Sequence, residues 1–249
     1  MGEAAVEMAK KGVKNFAVLG VDFMSESVKA TLKQQGFDDV HVYRLKEDTI
    51  GCSLAASAER PAYWAYLEKA RDEGKKPLHV VYINTSMETK ARANSIVPTI
   101  TCTSSNVVKT VLTAAAQVED VSIYFGPDTY MGSNLQNLFT QMLTMTDEQI
   151  KEYHPDHNKK SVEKLLANFQ YFQQGICVVH HMFGGKVTET VEKSYPIDEN
   201  TYYTAHFEVP GEMFTLASAA MHEGKGVVGS TSNILNFIVD KTLEHVKKG

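Results

Sequence analysis

Cysteine is scarce in this sequence: Cys52, Cys102 and Cys177 are the whole supply in 249 residues. Three thiols so widely spaced do not make a disulfide framework, which points to a reducing compartment and leaves metal binding or catalysis open. Three is also one short of the four ligands a structural zinc site usually takes. Positive charge is in short supply as well. With 25 Lys and Arg against 30 Asp and Glu, the formal net charge of -5 offers no basic face for a polyanion, so nucleic acid is not an expected partner. No apolar run approaches the ~18 residues of a membrane-spanning helix. The opening MGEAAVEMAKKG is amphipathic and partly acidic, unlike a signal or transit peptide. Low-complexity linkers and exact repeats are missing too. What remains, 43% hydrophobic and 22% charged residues, is ordinary for a soluble protein of one large or two or three small domains.

The residues that are present alternate short β-branched runs with amphipathic stretches, the pattern of βα units that stack a parallel sheet between helices. FAVLGV (16–21) reads as a strand and SESVKATLKQQG as a helix capped by Ser25 and stopped by Gly36. VHVYRL, LHVVYIN, SIVPTITC and VSIYFG read as further strands, with helices at PAYWAYLEKARDEG, begun by Pro61, at SSNVVKTVLTAAAQ and at GSNLQNLFTQML. Residues 146–174, with the solvated-looking HPDH of His154 and His157 and a helical SVEKLLANFQYFQQ, read as an insertion. The rhythm resumes with strands at ICVVH, TYYTAHF and GVVGS, and helices at VTETVEKSY, GEMFTLASAAMHEG and TSNILNFIVDKTLEHVKK. In open α/β sheets ligands bind at the carboxyl ends of strands, so the turns there are where chemistry is expected. The chain opens and closes on helices, and a strand that would begin the first sheet is expected to be missing, as if both ends were trimmed.

Three turns, TCTSSNVV (101–108), PDTYMGSN (127–134) and VGSTSNIL (228–235), put small hydroxyl residues where helices begin. Such turns suit a phosphate or carboxylate, and equally they are ordinary helix caps. Tyr82 and Asn84 end a strand with both side chains on one face, and so do His206 and Glu208 in AHFEVPGEM. A histidine and a carboxylate at that spacing can divide acid and base work. A buried tyrosine with a turn-forming asparagine is the plainer reading of the first pair. Cys177 in QGICVVHHMFGG reads as a small core hydrophobe or as a metal ligand. His180 and His181 beside it suggest zinc, but on a strand they face opposite ways, so at most one could join Cys177. A nucleophilic pair of Cys177 with His180 lacks an oxyanion-hole turn after the cysteine.

Taken in order, LGVDFMSESVKATL, IGCSLA, VVYINTSMETKA, CTSSNVVKTVL, GPDTYMG, GICVVHHMFGG, AHFEVPGEMF and VVGSTSNIL resemble the quinolinate synthase family over almost the whole chain, in its plant-type, plastid form. The resemblance implies three homologous α/β/α, Rossmann-like domains with small parallel sheets around a pseudo-threefold axis. These would be 1–56, without its N-terminal strand, 57–178, carrying the insertion, and 179–249, without its C-terminal extension. It implies a 4Fe-4S cluster with one open iron, held by Cys52, Cys177 and a third cysteine beyond Gly249, while Cys102 is not a ligand. The implied reaction condenses iminoaspartate with dihydroxyacetone phosphate to quinolinate for NAD biosynthesis. Ser104, Asn106, Ser230 and Thr231 would hold phosphate and carboxylates, Tyr82 and Asn84 would orient substrate, and His206 and Glu208 would move protons. L-aspartate oxidase or an iron-sulfur assembly protein is the implied partner, and a plastid, or else the cytoplasm, the implied location. A non-catalytic phosphometabolite-binding protein on the same scaffold is the alternative.

Overall fold

The computed structural model describes the chain except residues 45, 49, 196–200, 230–239, 241–243, 245–246 and 248–249. Its first unit runs α1 (Gly2–Lys10), β1 (Asn15–Val18), α2 (Asp22–Gln34) and β2 (His41–Arg44), with β1 and β2 parallel and Phe16 opposite Val42. Helix α2 begins ahead of the expected Ser25 cap. Ser25 instead sits in the first turn and its hydroxyl donates to the Asp22 carbonyl at 2.8 Å. Gly36 does end the helix, at φ +81, a left-handed conformation that costs glycine little. Val6, Val18, Val28, Leu32 and Val40 close a small core of their own. Burying one such side chain contributes roughly 1.5–3 kcal/mol.

The central unit follows as α3 (Ser53–Ser57), α4 (Pro61–Glu73), β3 (Pro77–Tyr82), α5 (Met87–Ile96), β4 (Thr99–Cys102), α6 (Val107–Gln117), β5 (Ser122–Gly126), α7 (Thr129–Met142), α8 (Asp147–Tyr153), α9 (Lys159–Ala167) and β6 (Phe169–Tyr171). Its strands are all parallel in the order β4-β3-β5-β6. Successive connections therefore leave β3 in opposite directions, the strand order for which a crevice is expected at the carboxyl ends of β3 and β5. After α10 (Val178–His181) and α11 (Gly185–Ser194), the parallel pair β7 (Tyr203–His206) and β8 (Gly226–Gly229) flanks α12 (Gly211–His222). Tyr203, Ala205, Phe207 and Phe214 join Val80, Val111, Phe125 and Leu135 in one core, which packs the β7–β8 sheet against the central unit. Small parallel sheets between helices are thus the observed architecture.

Several elements depart from the sequence reading, among them the short helices α3 and α8, which it did not assign. Helix α5 was unforeseen; the Ser86 hydroxyl caps it by accepting the Thr89 amide at 3.1 Å. Helix α7 starts at Thr129, because the carboxylate of Asp128 accepts the Met131 amide at 2.7 Å. ICVVH is not a strand: residues 178–181 form the short helix α10. Within the expected insertion, Phe169–Tyr171 is the edge strand of the central sheet.

The two histidines of the HPDH loop are not solvated either, although Pro155 and Asp156 between them are exposed. His157 is 2% exposed and His154 8%. The Leu112 carbonyl, 2.7 Å from His157 Nε2, can only accept, so Nε2 carries a proton, while Nδ1 lies 2.9 Å from Ser161 Oγ, whose hydroxyl also faces the Asn158 carbonyl at 2.9 Å. His157 thereby rivets α9 to α6. Replacing it by Ala is expected to lower stability by about 2–3 kcal/mol, from two buried hydrogen bonds and a cavity. A urea midpoint that falls at constant m-value reports this, and an unchanged midpoint would return the loop to solvent.

Candidate active site

Strand β3 is buried from His79 to its carboxyl end, where Tyr82 closes it. The Tyr82 hydroxyl donates to Glu208 Oε1 at 2.5 Å, across 126 residues of sequence. Burial, and then the neighbouring Glu208 carboxylate, push Tyr82 far above the ordinary phenol range, so it stays a neutral donor. Ser104 lies beside the same hydroxyl. The strand stops at Tyr82, so strand alternation does not carry to Asn84, which lies half-buried in the following bend. Asn106 is the N-cap of α6 and turns its Oδ1 back to the Thr103 amide at 2.8 Å, where it orders the Ser104 turn.

Glu208 sits just beyond β7 and is 2% exposed. Two carbonyls flanking it, of Phe207 and Val209, each accept a 2.9 Å hydrogen bond from Asn134 Nδ2 on α7, and this clamp fixes the turn against the central unit. Burial pushes the Glu208 carboxyl up, but His206 and Tyr82 together outweigh it, and the net shift is downward: the group is ionised. His206 Nδ1 lies 3.7 Å from Glu208 Oε2, and the carboxylate raises the imidazole above its usual range. The pair thus favours a proton on His206 beside the Glu208 carboxylate.

Two further groups converge here. His180, from α10, has its ring centroid 5.8 Å from that of His206 and is pushed down, first by burial. Its neighbour His181 points elsewhere and meets the Tyr130 hydroxyl. Asp128, after β5, is wholly buried, and burial followed by Glu208 pushes it up to about 7 against the pull of the Met131 amide. Asp128 and Asn134 were not singled out in the sequence as site residues; the Asp128 carboxylate itself caps the start of α7, so PDTYMGSN is no open anion-binding turn. A cavity of about 680 Å³ adjoins the cluster, lined among others by His180, His206, Tyr203, Val209 and Met213.

Cys52 is the N-cap of α3, half-buried against the main core, in a cavity of about 330 Å³ with Asp22, Glu26 and Ser86. Cys177 precedes α10 and packs against the same core. Its segment is pinned to α7: the Gly175 amide donates to Thr129 Oγ1 at 3.0 Å and its carbonyl accepts the Thr129 amide at 2.8 Å. A Cβ on Gly175 would stand 1.8 Å from the Pro127 carbonyl oxygen, so only glycine allows this approach. Cys102 is fully buried, and burial drives its thiol far up, which suits a core residue and not a ligand. Ser230 and Thr231 lie outside the described residues.

The sequence profile of a family described as Quinolinate synthetase A protein matches residues 3–247. A quinolinate synthase, chloroplastic, of Nicotiana tabacum is 56% identical over 248 residues, covering 100% of this chain and 34% of that protein. The one from Arabidopsis thaliana is 54% identical with the same coverage. A quinolinate synthase of Saccharolobus solfataricus is 30% identical over 236 residues, which are 94% of this chain and 58% of that protein. The chain spans about a third of the length of these plant relatives.

Proposed function

The chain belongs to the quinolinate synthetase A family, and from that premise we propose that it carries the proton-transfer centre of a quinolinate synthase. The reaction joins iminoaspartate to dihydroxyacetone phosphate and releases phosphate and water as the pyridine ring closes. The observation that supports this reading is the triad of Tyr82, Glu208 and His206 at the mouth of the crevice. Ring closure needs a proton removed from carbon in the tautomerisation and a proton given to each departing hydroxyl. Glu208, ionised and buried, takes the first at Oε2. His206, charged beside it, gives the second. Tyr82 remains protonated throughout, holds Glu208 by its other oxygen and positions substrate with Asn84. Ser104 and Asn106 on the first turn, with Ser230 and Thr231, take the phosphate and carboxylates.

Cys52 and Cys177 suit a 4Fe-4S cluster: both are free, half-buried thiols packed on one core, next to the acid–base groups in the case of the α10 segment. When bound, such a cluster supplies a Lewis acid at an iron left open to substrate. The three parallel sheets fit three α/β units, 1–56, 57–178 and 179–249. The chloroplastic names of the plant relatives support a plastid location, and small metabolites are the partners, with L-aspartate oxidase or an iron-sulfur assembly protein as the protein partner. No described helix is long and apolar enough to cross a membrane. The test is anaerobic preparation of the complete protein. It is expected to be brown and to form quinolinate, with iron lost in Cys52→Ser and in Cys177→Ser. A complete protein with neither iron nor product would sink the reading.

A further inference from the structure

We propose that Lys90 is a positioning residue for substrate: its ammonium gathers the carbonyls on both sides of Asn84 and so fixes how Asn84 stands beyond the carboxyl end of β3. This role rests on the reading that Tyr82 and Asn84 orient substrate. Lys90 Nζ, on α5, donates to the Ile83 carbonyl at 3.0 Å and to the Thr85 carbonyl as well. A lysine ammonium carries donors and no acceptor, and here it spends them on the two peptide groups that bracket one residue. With both carbonyls turned to the same nitrogen, the backbone through Asn84 is held in one arrangement.

The sheet does not do this by itself. β3 ends at Tyr82, and after the Ile83 amide has donated to the Cys102 carbonyl at 2.9 Å the chain bends away through residues 83–85. Thr85 closes the bend from within. It is 0% exposed, its Oγ1 donates to the Tyr82 carbonyl at 3.1 Å, and its amide donates to the Ile83 carbonyl at 2.8 Å. No hydrogen bond from the described residues reaches the Asn84 side chain, so its direction follows from the backbone on either side. Lys90 is also oddly placed for a lysine without such a task. It is half-buried, and burial pushes its ammonium down to about 8 against the pull of Glu26, whereas lysines keep to the surface unless their charge is met. A cation at the end of the first turn opposes the helix dipole, so helix stability is not what puts a lysine there. The start of α5 is itself anchored: Glu26 Oε2, on α2 of the first unit, accepts the Met87 amide at 3.1 Å, which fixes the position from which Lys90 reaches back.

The experiment uses the complete protein, prepared anaerobically, and compares Lys90→Met, Asn84→Ala and the two together. KM is measured for each substrate of the proposed reaction with the other saturating. Lys90→Met keeps the reach of the side chain and removes its donors. It is expected to raise KM roughly tenfold, for the same substrate that Asn84→Ala affects, with kcat changed by less than about threefold. In the Asn84→Ala background the same substitution is expected to change KM by less than about twofold, because no amide is left to position. An unaltered KM in Lys90→Met, or a rise as large without Asn84 as with it, would overturn the proposal. A lysine that merely holds α5 in place would lower the melting temperature and show no such coupling. Should Lys90→Met fail to fold, Lys90→Gln, which keeps a polar group in the same half-buried place, is judged by the same two criteria. Normal KM in Lys90→Met beside an impaired Asn84→Ala strikes the role of Lys90 alone. An Asn84→Ala protein with normal KM strikes the reading of Asn84, and the role of Lys90 with it.

Discussion

Glu208→Gln in the complete protein is expected to lower kcat for quinolinate formation by about 10²- to 10⁴-fold, the range a positioned general acid or base contributes. The substitution keeps the volume of the side chain and an oxygen that still accepts the Tyr82 hydroxyl. What it removes is the basic oxygen at Oε2, 3.7 Å from His206, and the negative charge that keeps His206 protonated. Both halves of the proton pair fail together, so the loss should fall on kcat more than on KM. Tyr82→Phe gives the contrast. It leaves the carboxylate in place and removes only the 2.5 Å hydrogen bond, so its effect should be smaller by an order of magnitude or more. Single-turnover measurements with both variants check the order. Activity of Glu208→Gln within a few fold of the unaltered protein would remove the carboxylate from the chemistry, and a normal thermal melt would show that folding is not the cause.

How far the sequence announces this arrangement depends on the range of the interactions that make each part. β1, β3 and β5 carry the short apolar runs FAV, VVY and IYF, and α4 opens with Pro61, so local pattern is enough. Helix α5 hides because METKARANSI buries small or polar positions, Thr89 and Ala93, and writes almost no apolar stripe. Strand β6 hides because three residues follow directly on the helical pattern of α9. The β-branched Val178 and Val179 favour a strand, yet among the described residues no strand pairs with them; the chain turns helical between the Gly175 anchor and α11, a tertiary override of propensity. In the site, Tyr82, His206 and Glu208 were legible from residue type at strand ends. Asn134 was not, since its role rests on carbonyls 73 and 75 residues away. Nor was His157, a polar residue made a core member by one carbonyl of a distant helix.

A second large effect concerns His79, in the middle of β3 and 0% exposed. Thr99 Oγ1 donates to the Val97 carbonyl at 2.8 Å, so toward His79 Nδ1, 3.1 Å away, it can only accept. The imidazole proton is therefore on Nδ1, and Nε2 accepts the Tyr63 hydroxyl at 2.8 Å. Every polar atom of the ring is served in the neutral form, and a second proton has no acceptor waiting. Burial pushes His79 down to about 3. In the unfolded chain the ring titrates near its usual value of about 6.5. Below that value the unfolded state holds one proton more than the folded state, so stability falls as pH falls, by up to about 1.4 kcal/mol per pH unit. The loss continues until the pH nears the folded value of about 3, where it levels off. His79→Gln removes the titrating ring and should remove this slope. Denaturant unfolding of both proteins between pH 7.5 and pH 4.5 is the measurement. The difference in unfolding free energy between the two should be flat above about pH 7 and should slope below about pH 6 toward relative loss in the unaltered chain. Parallel profiles across the whole range would mean that His79 takes up its proton without unfolding, through rotation of the Tyr63 hydroxyl, and that the network around it is less rigid than its geometry implies.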